Sequence, residues 1–508
     1  MTDKKKIAGN VGSSVVQVVV SGLTVFLLYR YLLETIGPDK LGIWALVLAA
    51  SSTVQAANLG MTGSVIKYIA DYDALGDTSK IALAVQTAAV SIGVFSLVFV
   101  LILFPAANYY FQFSLDDAGY REAVEILPQA LLAFWIYMVA GIYQSALYGC
   151  QLIAHRNAIL MIDSVMYMLM SFVLAPIYGL PGLAWARVVQ NLVTYLLSAS
   201  LMKRHIRQVP LLPRAWRKGL FKEMFGYAVN FQIIAILVML LDPVTKGFLS
   251  RYGNISMVAY YEMARKLVQL FRGILANANQ VLVPSYARFK QLDEARIAGA
   301  YRLSYGVVFY FAVPGFCLMA VAAPLVSELW VGHYEPVFVA AVVLLCIGWL
   351  INTLGVPAYH AGMGTGHMKD NVVAHVLMTL ANIALILLIG RLWQGLGVIV
   401  AWVLALSLGG LLLISLYHYR NSLALRDVIP GPSRALAALC LAGVVVGYVV
   451  WYKLSEFIVG GGWQVFAGLF TQSVVDAVMI LAFGMLVVVP MWKHPVRRQL
   501  MTLLRGAG

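Results

Sequence analysis

The sequence predicts an all-α polytopic membrane protein with about fourteen transmembrane helices. Three observations carry that prediction. Of the 508 residues, 61% are hydrophobic and only 11% charged, against about 45–50% and about 25% in soluble domains. The mean hydropathy is +0.84. Apolar runs of at least ~18 residues recur along the chain, each long enough to cross a ~30 Å hydrocarbon layer. Their centres fall near residues 20, 55, 94, 138, 168, 192, 237, 268, 312, 347, 381, 405, 443 and 480. The opening MTDKKKIAGN is basic, but the run after it carries Asn10, Ser13, Ser14 and Gln17 and ends at no small-residue cleavage site. It reads as a first membrane helix rather than a removed signal peptide.

The net charge of +14 is explained without a nucleic-acid partner. Basic residues crowd alternate loops: Lys4–Lys6, Lys80, Arg156, the run 203–222, Arg288, Lys290, Arg296, Lys369, Arg420, Arg426 and Arg434. The intervening loops hold only Lys40, Arg121, Arg251, Arg391 and Lys453. By the positive-inside rule both termini are expected in the cytoplasm. The four cysteines, Cys150, Cys317, Cys346 and Cys440, stand in apolar segments without metal-ligand spacing and read as packing residues. No metal and no cofactor is expected.

The stretch KRHIRQVPLLPRAWRKGLFK (203–222), with seven basic residues and two prolines, divides the helices into halves. Three landmarks recur at nearly constant offset: Asn157 and Asn371 (214), Gly182 and Gly397 (215), Gly37 and Gly253 (216). We therefore expect an N-lobe of six helices over 1–202, a basic cytoplasmic linker over 203–222 and a C-lobe of six over 223–420. Two further helices and a cytoplasmic tail fill 421–508. An even number of spans per lobe makes the repeat parallel, a pseudo-twofold along the membrane normal, as in alternating-access transporters.

Residues 27–80, LLYRYLLETIGPDKLGIWALVLAASSTVQAANLGMTGSVIKYIADYDALGDTSK, resemble the opening of polysaccharide-transporter flippases of the multidrug/oligosaccharidyl-lipid/polysaccharide exporter superfamily. The resemblance rests on the Gly37/Gly42 turn, on Asn58-Leu59-Gly60 and on Tyr148-Gly149-Cys150-Gln151. It covers roughly residues 1–420, and the family usually carries Asp where this chain has Asn58. It implies translocation of a polyprenyl-pyrophosphate-linked oligosaccharide across the membrane, with a monomeric transporter contacting membrane lipids and glycan-assembly enzymes. Some relatives, including the lipid II flippase, also have two extra helices.

Polar residues recur at helical spacing. Asn10, Ser14, Gln17, Ser21 and Thr24 share one face of the first helix; Ser51, Gln55, Asn58 and Thr62 share one face of the second. Two readings stand for each stripe: helix–helix packing, or the wall of a hydrated cavity. Gly60 and Gly63 can bend the second helix or serve a close contact.

The eighth helix contains YYEMARKLVQLFR (260–272), where Glu262, Arg265, Lys266, Gln269 and Arg272 fit one arc of about 120°. Each intramembrane charge costs at least ~2.5–3.5 kcal/mol, so these groups should face protein or water. Glu262 and Lys266 form a self-neutralising i,i+4 pair, while Arg265 and Arg272 have no evident acidic partner in their own helix. At the repeat offset the second helix presents Ala49, Ala50 and Ala56, so fold symmetry does not account for the cations. A pyrophosphate does, because guanidinium forks match phosphate oxygens. The expected headgroup-binding set is Arg265, Arg272, Lys266, Arg30 and Lys246, with Asn10, Ser14, Gln17, Ser51, Gln55, Asn58 and Gln269 lining the cavity. Glu262 and Asp242, each beside a cation, are the expected sites of coupling to H+ or Na+. A multidrug cation exporter of the same superfamily would want acidic walls. A glycan polymerase would need a substantial outer loop with acid–base residues, and the longest early one, around 108–125, is modest.

Overall fold

The computed structural model is helical throughout, with no strand among the described residues. It describes residues 2–58, 60–228, 232–280, 282–293, 295–424, 429, 431–460 and 469–506. Of these, only the backbone is described at 2–11, 56, 226–228, 232–238, 284, 295, 454–460, 469–473, 500 and 503–506. The helices group into two compact units, Met1–Ala259 and Tyr260–Gly508.

In the first unit α1 (Thr2–Ser52) is two helices joined at Gly37, whose φ of 79° no helix interior permits; Pro38 opens the second arm. That arm loosens into a 3-10 turn at Thr53–Asn58 and restarts as α2 (Met61–Ala74) after Gly60, which is left-handed at φ 72°. Asn58 closes the break: its Oδ1 accepts the Thr62 amide at 3.2 Å and its Nδ2 donates to Thr62 Oγ1 at 3.1 Å. Gly60 is thus the bend expected in the second helix, and nothing lies within 4 Å of a Cβ built on Gly63.

Helices α3 (Thr78–Ser114) and α4 (Asp117–Gly149) follow. The expected outer loop around 108–125 is instead almost entirely helical. Only residues 115 and 116 separate the two helices, and the Asp116 side chain caps α4 by accepting the Gly119 amide at 2.9 Å. Helix α5 (Ile153–His205) is a hairpin of two arms, turned at Gly179 (φ 61°, ψ −134°) with Pro181 just beyond. Gly182 sits hard against the carbonyl of Leu174.

The basic segment then lies along its own unit. Tyr143 Oη donates to the carbonyls of Pro210 at 3.3 Å and Leu211 at 3.2 Å, and Tyr195 Oη also donates to Leu211. Gln86 Oε1 accepts the amides of Arg214 (3.2 Å) and Ala215 (3.1 Å), and Trp216 Nε1 donates to Ser91 Oγ at 3.0 Å. Helices α6 (Lys218–Ala228) and α7 (Gln232–Tyr252) complete the unit. Helix α7 runs through Pro243, whose carbonyl accepts Tyr110 Oη at 2.7 Å.

The second unit holds nearly all of α8 (Ile255–Gln280), then α9 (Val283–Leu292), α10 (Ala295–Trp330), α11 (Pro336–Leu354) and α12 (Val356–Thr365). Next come α13 (Met368–Leu385), a π turn at Ile386–Gly390, and α14 (Arg391–Arg420), with a backbone break at Gln394 (φ 53°, ψ −138°). Helices α15 (Gly431–Gly460) and α16 (Leu469–Lys493) pack on α10, and the short amphipathic α17 (Pro495–Gly506) follows. Tyr448 Oη donates to the Ala320 carbonyl at 2.9 Å, and Trp451 Nε1 donates to fully buried Asp476 at 2.7 Å. Asp476 therefore joins α15 and α16 to each other.

Nine described segments are long and apolar enough to cross a membrane. Three of them, Gly12–Gln55 (44 residues), Ile153–His205 (53) and Met368–Arg420 (53), are long enough for two spans and carry a backbone break inside. With α7 and α8 the chain has fourteen membrane helices. In α8 the apolar run is interrupted by Glu262, Arg265, Lys266 and Arg272, which crowd one stretch of it.

Candidate functional site

The charges of α8 stand at steps of three and four, so helical geometry stacks them on one side. Glu262 is 3% exposed. Arg265 grips it with two nitrogens, Nε to Oε2 at 2.9 Å and Nη2 to Oε1 at 3.1 Å, and Lys266 Nζ lies 3.2 Å from Oε1. Arg265 Nη1 also donates to Gln269 Oε1 at 3.3 Å. The expectation that Arg265 lacks an acid in its own helix is therefore corrected. The i,i+3 step brings it to Glu262 as surely as i,i+4 brings Lys266. One carboxylate is shared by two cations, which leaves this trio one positive charge in excess.

Arg272, two turns further along, differs. It makes no ion pair among the described residues. Its guanidinium lies over Trp349 of α11, 4.5 Å from the ring centroid, and its Nε is buried without a hydrogen-bond acceptor. The indole Nε1 atoms of Trp349 and of Trp402 on α14 are likewise buried without acceptors. The two indoles stand edge to face at 6.4 Å. Three N–H donors, on side chains that neighbour one another in the second unit, thus have no acceptor among the described residues, and a buried donor left so costs about 1–3 kcal/mol. Tyr359 stands beside this corner, with His360 and His375 against its ring at 5.5 and 5.8 Å. His360 Nδ1 is 3.3 Å from Asn279 Oδ1, and Asn279 Nδ2 donates to Ser304 at 2.6 Å. His375 Nδ1 donates to the Asn371 carbonyl at 2.7 Å. Sequence reasoning picked out Arg272 and missed both tryptophans. An indole in an apolar helix still carries a donor that needs a partner, and that was the available signal.

In the first unit Lys246, 1% exposed, lies 2.9 Å from Asp242 Oδ2 and donates to the Ala45 carbonyl at 3.4 Å. Arg30 pairs with Glu34 at 3.0 Å, and both side chains are half exposed. The stripe on the first arm of α1 meets the first arm of α5. Asn157 Nδ2 donates to Ser13 and Ser14, each at 3.0 Å; Gln17 donates to Ser21 at 3.1 Å; and Ser21 lies 2.9 Å from Ser164. The side chain of Asn10 lies outside the described residues. Along the second stripe Ser51 is fully buried with its hydroxyl unbonded, Gln55 is exposed and Asn58 is the cap described above. The unit also contains a polar network within α5. Asp163 accepts from Gln190 Nε2 at 2.6 Å and from Thr194 at 2.5 Å, and Arg187 Nη1 donates to Gln190 Oε1 at 2.8 Å.

Residues 36–336, more than half of the chain, match the model of the family described as "Polysaccharide biosynthesis protein". The chain belongs to that family. It is 21% identical over 401 residues to the "Putative O-antigen transporter" of Shigella flexneri, covering 76% of this chain and 92% of that protein. Among solved structures it is similar to the lipid II flippase MurJ in an inward closed conformation, with TM-score 0.68 and 12% identity over 94% of this chain and 97% of that one. It is also similar to an inward-facing multidrug resistance MATE transporter of the MOP superfamily, with TM-score 0.66 and 15% identity over 78% and 94%. A MOP superfamily transporter from Pyrococcus furiosus gives TM-score 0.61 and 14% identity over 82% and 95%. At such identities the likeness concerns the fold, a multi-pass membrane transporter architecture. The fold is the one that those transporters share.

Proposed function

We propose that this member of the family is a flippase carrying a polyprenyl-pyrophosphate-linked oligosaccharide from the cytoplasmic to the outer leaflet of a bacterial inner membrane. It works by alternating access with both termini in the cytoplasm. The observation that carries this reading is the corner of Arg272, Trp349 and Trp402, where the Nε of Arg272 and two indole N–H groups are buried with no acceptor among the described residues. A phosphate or a sugar hydroxyl offers the acceptors those donors lack, and aromatic faces suit the C–H faces of sugar rings. The relative named an O-antigen transporter and the neighbour named a lipid II flippase point to the same class of cargo.

In this reading Arg272 is the first contact of the headgroup. Arg265 and Lys266 supplement it by turning from Glu262, and Gln269 follows Arg265. In the first unit, Arg30 and Lys246 are the cations proposed to meet the headgroup during the cycle. Asn10, Ser14, Gln17, Ser51, Gln55 and Asn58 are proposed to line the path. Glu262 and Asp242 carry the coupling, exchanging a cation partner for H+ or Na+. A cation exporter is less well served, because Glu262 is already shared by two cations and Arg272 meets no acid among the described residues.

The test is headgroup translocation of a lipid-linked glycan in proteoliposomes. A charged hydrogen bond is worth about 1.5–3 kcal/mol, or roughly 10–100-fold. Arg272→Gln should lower transport by about that factor, and Arg272→Lys should recover only part of it because the fork is lost. Wild-type rates in Arg272→Gln, at equal protein incorporation, would refute the assignment.

A further inference from the structure

A different place in the first unit gathers metal-binding chemistry. Asp73 lies in the last turn of α2, Cys150 caps the C-terminus of α4, and His205 is the last residue of α5. Their ligand atoms, a carboxylate oxygen, a thiol sulfur and an imidazole nitrogen, all lie within 4.8 Å of one another. In the sequence they are tens of residues apart, which is why cysteine spacing gave no hint of them.

Two independent features favour a cation here. First, three helix C-termini meet at this point, and each presents carbonyls equivalent to roughly half a negative charge. The approach is close: a Cβ built on Gly149 would come 3.1 Å from the Ile66 carbonyl of α2. Second, among the described residues none of the three side chains is engaged in a hydrogen bond or ion pair. Cys150 is 6% exposed while Asp73 and His205 are exposed, so one buried sulfur sits under two ligands that can close over it. Lys203 and Arg204 in the last turn of α5 oppose loose collection of hard cations by charge alone. Retention then has to come from the sulfur and nitrogen donors.

We propose that Asp73, Cys150 and His205 form a site for a borderline-soft divalent metal, of which zinc is the type, with water as the fourth tetrahedral ligand. Thiolate, imidazole and carboxylate together suit zinc over calcium or magnesium. Metal–ligand distances of about 2.0–2.3 Å require the exposed Asp73 and His205 side chains to draw in towards Cys150 by rotamer change, with the helices staying in place. The occupied site would tie together the ends of three helices of this unit, independently of the cargo corner in the other.

The experiment uses the full-length, tag-free protein in detergent, with Co2+ as the optical probe and Zn2+ as competitor. Wild type should bind one Co2+ with tetrahedral d–d bands and a thiolate-to-metal charge-transfer band, displaced by equimolar Zn2+. Because the thiol must ionise, binding should weaken as pH falls. Cys150→Ser should abolish the charge-transfer band. Asp73→Asn and His205→Gln, both at exposed positions that leave the fold intact, should each weaken Zn2+ affinity at least tenfold. Stoichiometric binding absent from wild type would overturn the proposal. So would affinity unchanged in Asp73→Asn and His205→Gln, the signature of an adventitious surface site.

Discussion

The hairpin of α5 in the first unit and that of α13–α14 in the second are built alike and used differently. Their backbone breaks, Gly179 and Gln394, have nearly the same angles (φ 61°, ψ −134°; φ 53°, ψ −138°) and stand 215 residues apart. At the same offset Gln151 and Gly366 take left-handed conformations before each hairpin, and Gly182 and Gly397 each press on the carbonyl eight residues back. The side chains diverge. Where the first hairpin has Asp163 bonded to Thr194, the second has Met378 against Gly409; where the first has Arg187, the second has Trp402. In α8 and the second arm of α1 the asymmetry reverses: Glu262, Arg265 and Lys266 face a twin with Leu46, Ala49 and Ala50. The repeat fixes backbone turns, and each half places its charge on a different helix.

The comparison can be broken most forcefully at Glu262. Replacing it with the twin's residue, Glu262→Leu, removes the carboxylate that two partly buried cations share and should cost about 3–5 kcal/mol, read as loss of thermal stability in detergent. The reverse change Leu46→Glu, a lone buried acid, should also destabilise; neutrality of either would deny that charge is assigned helix by helix. Gly182→Ala and Gly397→Ala test what the halves share. A Cβ at either position runs into a backbone carbonyl that cannot rotate away, so each should cost about 1–3 kcal/mol or more. A large effect in one hairpin alone would contradict their equivalence. At the diverged pair, Asp163→Met should cost about 1–3 kcal/mol by stranding Gln190 and Thr194 donors. Adding Thr194→Gly transplants the other half's solution and should recover part of that loss in a double-mutant cycle. The smallest effect is a gain. Gln394 holds angles that glycine adopts freely and that its twin Gly179 occupies, so Gln394→Gly should stabilise by about 1 kcal/mol. No gain in midpoint temperature would show the strain to be absent.

Much of the fold was legible because membrane spans are written in composition. The repeat was legible through Gly182/Gly397, where a small residue serves a turn, and through Asn157/Asn371, whose amides each donate to a neighbouring helix. The third landmark is not conformationally equivalent: Gly37 takes a positive φ and Gly253 does not. Hairpin continuity across residues 115–116 escaped prediction because loop polarity looks the same whether the backbone is coiled or a helix extends past the lipid. At the site, periodicity found the charged arc of α8 but could not decide which cation holds Glu262, since i,i+3 and i,i+4 are both within reach. Trp349, Trp402 and the Asp163 network depend on which helices touch, and no spacing along one helix contains that.

The basic segment between α5 and α6 has a consequence for how this chain tolerates change. Apart from Trp216, whose indole donates to Ser91, its anchors are side chains of the helices, Tyr143, Tyr195 and Gln86, and what they hold at Pro210, Leu211, Arg214 and Ala215 is main chain. Carbonyls and amides are common to nearly every amino acid. The arginines there can be exchanged or recoloured with other charges while the strap keeps its course. Removing a single tyrosine hydroxyl from the helices beneath would loosen it.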